Sequence, residues 1–289
     1  MLSPSARKGS RRPNLDSPAM QRVKSYSVRG VREPIERFDF AGRRVDVWRP
    51  GGSQHLLVTH DGQNIFDRRT STNGFTWRIA QTASRVFNAH GLAAPTVVAV
   101  FHSGNRDNPH GRALDLAPED FFKEGMRPKR NVPAEITLDQ LRGNLYLDQI
   151  YEEIVPSLVP DAKNFSPANR ALLGSSMGAI ATLYEMGRKP ERYGVALAYS
   201  PHWILVGDDL VRRMVHWIPH EGDHRIWMSR GTKKLDGEYE RTQDLADQLL
   251  LERGFNSRRL TSRVYRGASH NERSWSRQVA DGLRFWLKG

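Results

Sequence analysis

The chain of 289 residues contains no cysteine. That absence excludes disulfide staples, thiolate catalysis and cysteine-ligated zinc. Nor does any apolar run approach the roughly 20 residues that a helix needs to cross a bilayer. Arg7, Lys8, Arg11 and Arg12 are not followed by the apolar stretch of a secretory leader, so the cytoplasm is the expected compartment. Acids are scarce: 32 Asp and Glu stand against 44 Lys and Arg, a net charge of +12. With 38% hydrophobic and 26% charged residues, the composition excludes disorder of the chain as a whole and fits a globular protein with a sizeable core.

The cations are unevenly placed. Residues 1–30 carry seven Lys and Arg against one acid, Asp16, so about a tenth of the chain holds half the excess charge. Rich in Ser, Pro and Gly and without a periodic apolar pattern, this stretch reads as a flexible basic arm ahead of a domain over 31–289. Such an arm offers itself to a polyanion. No nucleic-acid signature with interleaved aromatics accompanies it, so a solvated terminus is the plainer expectation.

From Val31 the chain reads as globular. Ile35, Phe38, Phe40 and then Val45, Val47 and Trp48 predict two strands around the Ala41-Gly42 turn. Leu56–Thr59 is a short apolar run of the kind buried on both faces, and Thr96–Phe101, Ala171–Leu173, Val195–Tyr199, Ile226–Met228 and Thr261–Tyr265 are the further predicted strands. Helical spacing separates them: Trp77 to Phe87, Leu145 to Leu158 with stops at Pro156 and Pro160, Met177 to Met186, about 238–253, and 272–287. Strands alternating with helices predict one α/β domain, a mostly parallel sheet with helices on both faces. Residues 103–143 form a long irregular stretch, and such a loop inside a domain is usually functional or mobile.

Chemistry concentrates in a few places. Gly174-Ser175-Ser176-Met177-Gly178 is a G-x-S-x-G pentapeptide between a strand and a helix, the setting of a nucleophile elbow with Ser176 at its tip. A serine needs a base, and His270 follows the last strand, in the Ser–acid–His chain order of such enzymes. The orienting acid is expected after Ile226–Met228. Asp236 is the first candidate there, although it would also serve to cap the following helix, and Glu238 is the next. An oxyanion requires preorganised donors: the Met177 N–H after the nucleophile, and a second from the Thr59–Asn64 turn, where His60 and Asp61 are read as shaping the loop. His216, His220 and His224 repeat every four residues, but Pro219 and Gly222 break any helix aligning them, so no metal site is expected.

His60-Asp61-Gly62-Gln63-Asn64-Ile65-Phe66-Asp67, Gly143–Leu147 with Glu152–Pro156, Gly174–Gly178, Tyr199-Ser200-Pro201, and His270-Asn271-Glu272 with Trp275 follow one another in order. Together they resemble the putative-esterase (esterase D-like) family of α/β hydrolases, which includes siderophore esterases, feruloyl esterases, S-formylglutathione hydrolase and mycolyltransferases. The resemblance spans about residues 40–287. It implies cofactor-free serine esterase chemistry, with Ser176 as nucleophile, His270 as base, and Gln63 with Met177 as oxyanion donors. One departure stands out: relatives commonly carry an acid three residues beyond the Gly of Gly231-Thr232, and this chain has Lys234 there. The acid is then displaced to Asp236 or Glu238, or the pair works as a Ser–His dyad. The expected substrate is a small-molecule, lipid or sugar ester. The rivals are acyl transfer on the same residues and a non-catalytic binding protein of the same fold.

Overall fold

The structure is a computed structural model that describes residues 20–129 and 136–288. Its strands are β1 (Met20–Tyr26), β2 (Ile35–Phe40), β3 (Arg43–Trp48), β4 (Leu56–Thr59), β5 (Thr96–Val100), β6 (Arg170–Ser175), β7 (Val195–Tyr199), β8 (Arg225–Lys233) and β9 (Leu260–Ser269). They form a single sheet in the order β1-β2-β3-β5-β4-β6-β7-β8-β9. The first three strands are antiparallel, β3 pairs antiparallel with β5, and every pair from β5-β4 to β8-β9 is parallel.

The central strands bury both faces, and their side chains alternate accordingly. Leu56 and Val58 of β4 belong to one core and Leu57 to the other; Ala196 and Ala198 of β7 oppose Val195, Leu197 and Tyr199. A sheet apolar on both sides must be covered on both. One face packs α1 (Ile79–Asn88) against α9 (Glu272–Leu287), around Phe87, Trp275 and Trp286. The other packs α2 (Gly111–Leu116), α3 (Glu119–Lys123), α4 (Gly143–Asp148), α5 (Val155–Leu158), α6 (Met177–Arg188), α7 (Asp208–Trp217) and α8 (Glu240–Glu252). This is the expected α/β-hydrolase layering.

Three expectations need correction. The basic arm does not extend to residue 30. Met20–Tyr26 is an edge strand paired with β2, tied by the Tyr26 hydroxyl to Asp46 at 2.7 Å. Its middle residues, Gln21 to Ser25, are exposed and include Arg22 and Lys24, which suits an edge strand but leaves no apolar periodicity to read. The rest of the arm, residues 1–19, lies outside the described residues. Pro156 does not stop its helix either: α4 widens into π turns over Gln149–Ile154 and continues without a break into α5, so the helix runs through Pro156 just past its widened turns. Finally, the stretch 103–143 contains α2 and α3 and so is not irregular throughout, while α7 went unforeseen.

Among the described residues, no helix is long and apolar enough to cross a membrane.

Candidate active site

Parallel strands deliver their following loops to one edge of the sheet, and the site residues gather there. β6 runs into Ser176, which adopts φ 56° and ψ −121° before α6 begins at Met177. A non-glycine residue at positive φ is strained, and the surroundings hold it in place. The Ser176 N–H donates to the Tyr199 carbonyl at 2.9 Å, and the Ser176 carbonyl accepts from Ala179 and Ile180 N–H. Gly174 makes this turn possible: a Cβ there would lie 2.3 Å from the carbonyl carbon and oxygen of Gly178.

The turn after β8 supplies Asp236. Strand pairing brings it to the histidine, because β8 and β9 stay paired as far as Lys233 opposite Ser269, the residue before His270. Asp236 Oδ1 lies 2.6 Å from His270 Nδ1, with the carboxylate fully buried. Its Oδ2 accepts from the Gly231 N–H at 2.7 Å and the Ser200 hydroxyl at 2.9 Å, and Ser200 Oγ in turn accepts from Trp275 Nε1 at 2.9 Å. Gly231 cannot be larger: a Cβ would meet Asp236 Oδ2 at 2.8 Å and the Ala268 carbonyl oxygen at 2.3 Å. Asp236 does not cap α8, whose N-cap position is Tyr239. Glu238 is exposed on the same turn.

Tyr239 joins the two halves. Its hydroxyl lies within hydrogen-bonding reach of Ser176, its ring meets His270 edge-to-face at 5.6 Å, and its oxygen is 2.6 Å from His202 Nδ1. Burial pushes the phenol well up, so it stays protonated. Trp275 packs on His270 at 4.9 Å, again edge-on. Ser200, Tyr239, His202 and Trp275 were not assigned roles from sequence. Ser200 and Trp275 stand in the blocks that carry the resemblance, whereas Tyr239 and His202 had only their places in the acid's turn and just past β7 as a signal.

The turn after β4 is built differently. Asp61 takes φ 52°, and Arg112 grips both its oxygens at 2.8 and 2.7 Å. Burial pushes the Asp61 carboxyl up, but Arg112 outweighs this and holds it at about 2. His60 donates or accepts at Tyr146 OH (2.9 Å), and burial lowers its imidazole to about 4, so it is neutral at physiological pH. Gln63 follows in the short Gly62–Asn64 helical turn, its side-chain amide 3.4 Å from Asp61 Oδ1. His60 and Asp61 therefore shape this loop.

Met177 also borders a cavity of about 830 Å³. Its walls are largely apolar, including Phe122, Met126, Leu141, Ile204 and Leu235, with Arg112, Arg127 and His202 among the polar exceptions. Much of this wall comes from the 103–143 stretch. No group of three or more His, Asp or Glu stands together as metal ligands among the described residues. His220 instead meets Arg253 at 2.9 Å, and His224 the Pro190 carbonyl at 2.8 Å.

An elbow serine at the C-terminal edge of a mostly parallel sheet, with a half-buried histidine paired to a buried aspartate nearby, places the molecule in the α/β-hydrolase class. The chain belongs to the putative-esterase family, whose model matches residues 44–286. No curated protein matches it. Among solved structures it resembles the enterobactin esterase FES from Shigella flexneri, with a TM-score of 0.60 and 17% identity over 96% of this chain. It spans 63% of that protein's length. It also resembles the BES protein from Bacillus cereus (TM-score 0.58, 15% identity, 98% of this chain and 99% of the other). A third likeness is the siderophore hydrolase EstA from Aspergillus nidulans (0.53, 17%, 98% and 98%). These likenesses establish the fold.

Proposed function

We propose that the protein is a cofactor-free carboxylic ester hydrolase working through an acyl-enzyme. Ser176 Oγ attacks the acyl carbonyl while His270 Nε2 takes its proton. His270 then returns the proton to the departing alcohol, and water, activated the same way, releases the acid. Asp236 fixes the imidazole with Nδ1 protonated and stabilises the imidazolium. The N–H groups of Gln63 and Met177 receive the oxyanion. The observation that carries this reading is the 2.6 Å Asp236–His270 contact, placed across Tyr239 from a serine at positive φ. The family match supports the reaction class.

The cavity beside Met177 favours an ester with a sizeable apolar acyl or alcohol part, since about 830 Å³ lies in the range of small-molecule sites. The same apolar walls favour a second reading, in which an alcohol outcompetes water and the enzyme transfers the acyl group. Fluorophosphonate labelling followed by an ester panel of varied acyl length, with and without added alcohols, separates these readings. Ser176→Ala is expected to abolish both labelling and turnover with the melting temperature nearly unchanged. Labelling that persists on another serine overturns the assignment.

A further inference from the structure

Glu272 begins α9, two residues after His270. A glutamate in the first turn of a helix ordinarily faces water and complements the helix dipole. Glu272 is instead only 6% exposed, and both carboxylate oxygens are engaged by a distant loop. Oε1 accepts from Asn64 Nδ2 at 3.3 Å and Oε2 from Asn73 Nδ2 at 2.6 Å.

Those asparagines belong to the segment that forms the second oxyanion donor. Asn64 ends the Gly62–Asn64 turn, its Oδ1 accepts from Thr72 N–H at 2.9 Å, and its carbonyl accepts from Trp77 N–H at 3.0 Å. Gln63 is the residue before it, and its carbonyl accepts from the Thr70 hydroxyl at 2.8 Å. On the other side, the backbone around His270 is pinned. Ser269 N–H donates to Ser274 Oγ at 3.1 Å, and Asn271 caps α9 by accepting from Ser274 N–H at 3.0 Å.

We infer that Glu272 is a positioning residue that joins the Gln63 turn to the His270 turn, so that the oxyanion donor and the base keep one fixed spacing. This rests on the esterase reading of the site. The two segments, 208 residues apart from Asn64 to Glu272, also meet where Arg273 lies over the Phe75 ring at 5.8 Å and Trp77 stacks on Trp275 at 5.5 Å, but the Glu272 bond reaches the Gly62–Asn64 turn itself. A buried carboxylate accepting from both asparagines fixes their separation without itself touching substrate. Misplacement of reacting groups by an ångström costs about 10²-fold in rate.

The test compares Glu272→Ala, Glu272→Gln and Asn73→Ala in steady-state hydrolysis of a soluble aryl ester. Glu272→Ala should lower kcat by about 10–100-fold with KM within about twofold. Glu272→Gln keeps one acceptor oxygen for Asn64, and its amide can donate to Asn73 once that side chain flips to present its oxygen, so it should recover part of the loss. If its charge at the helix start were what mattered, Gln would behave as Ala does, and the inference would fall. Asn73→Ala removes only the outer half of the bridge and should give a smaller loss; it serves also if Glu272→Ala does not fold. Wild-type protein that neither turns over nor labels overturns the esterase reading and this inference together. An active wild type with kcat unchanged in Glu272→Ala or, where that variant does not fold, in Asn73→Ala overturns the inference alone.

Discussion

Two aspartates sit buried at the same edge of the sheet, one in the turn after β4 and one in the turn after β8, and their surroundings differ. Asp61 faces a guanidinium that takes both oxygens, and the pair holds the carboxyl at about 2. Asp236 has no cation among its hydrogen-bond partners: its oxygens go to an imidazole, a hydroxyl and a backbone N–H. A carboxylate saturated by arginine is a clamp, with no capacity left for a change of charge nearby. One held by neutral donors and aimed at a histidine gains most when that histidine becomes charged. Residue type and burial are alike; the partner assigns the role.

The widest separation between the two should appear on substituting each by asparagine. Asp236→Asn keeps the shape but leaves the imidazole without its anion and favours the wrong tautomer, so kcat is expected to fall by about 10²–10⁴-fold. Stability should change far less. A kcat within a few-fold of wild type would place the Asp236–His270 contact outside the chemistry and turn the site into a Ser–His dyad.

Asp61→Asn should do the reverse. The Asp61 carboxyl is lowered from 3.8 to about 2. A depressed carboxyl contributes stability above its unfolded value, and loses it as pH falls from about 4 to about 2. For a buried carboxyl, that lowering corresponds to roughly 2–3 kcal/mol of stability at neutral pH. Asp61→Asn should cost stability of that order and erase this acid limb in denaturant melts, with kcat reduced less than about tenfold. His60, lowered from 6.5 to about 4, adds a separate loss between those values, which Asp61→Asn should deepen, because the Asp61 charge raises that imidazole against burial. Equal pH profiles for wild type and Asp61→Asn would break the clamp assignment.

How much of this was legible follows from how local each feature is. The elbow joins adjacent elements, so Gly174, Ser176 and the strand–helix transition could be read from five residues. Central strands announced themselves through continuous apolar runs. Asp236 was legible only as one of two acids on a turn, because what distinguishes it from Glu238 is burial against Gly231, Ser200 and His270, set by the β8–β9 register. Tyr239 and Glu272 acquire partners only in three dimensions. β1 escaped because an exposed edge strand is held by backbone hydrogen bonds, which leave no apolar pattern. α7, with Asp208-Asp209 and Arg212-Arg213 set around Leu210, Val211 and Met214, was hidden by its charge.

The smallest expected effect lies at Lys234, where relatives commonly place an acid. Lys234 has φ 55°, a left-handed conformation that favours glycine, and it is exposed. The turn passes through it to bring Asp236 beneath Gly231. If the residue serves only as a strained corner, Lys234→Gly should raise stability by about 0.5–1 kcal/mol and leave kcat within about twofold. Lys234→Asp then asks whether the site prefers its acid at the relatives' position. With Asp236 already bonded through both oxygens, a second carboxylate on this exposed corner has no imidazole to hold, and kcat should again stay within about twofold. The decisive comparison is the double variant Lys234→Asp with Asp236→Asn. Activity as low as in Asp236→Asn alone would show that burial, and not position along the turn, makes the acid. Recovery of activity would show that the turn accepts its carboxylate at either place.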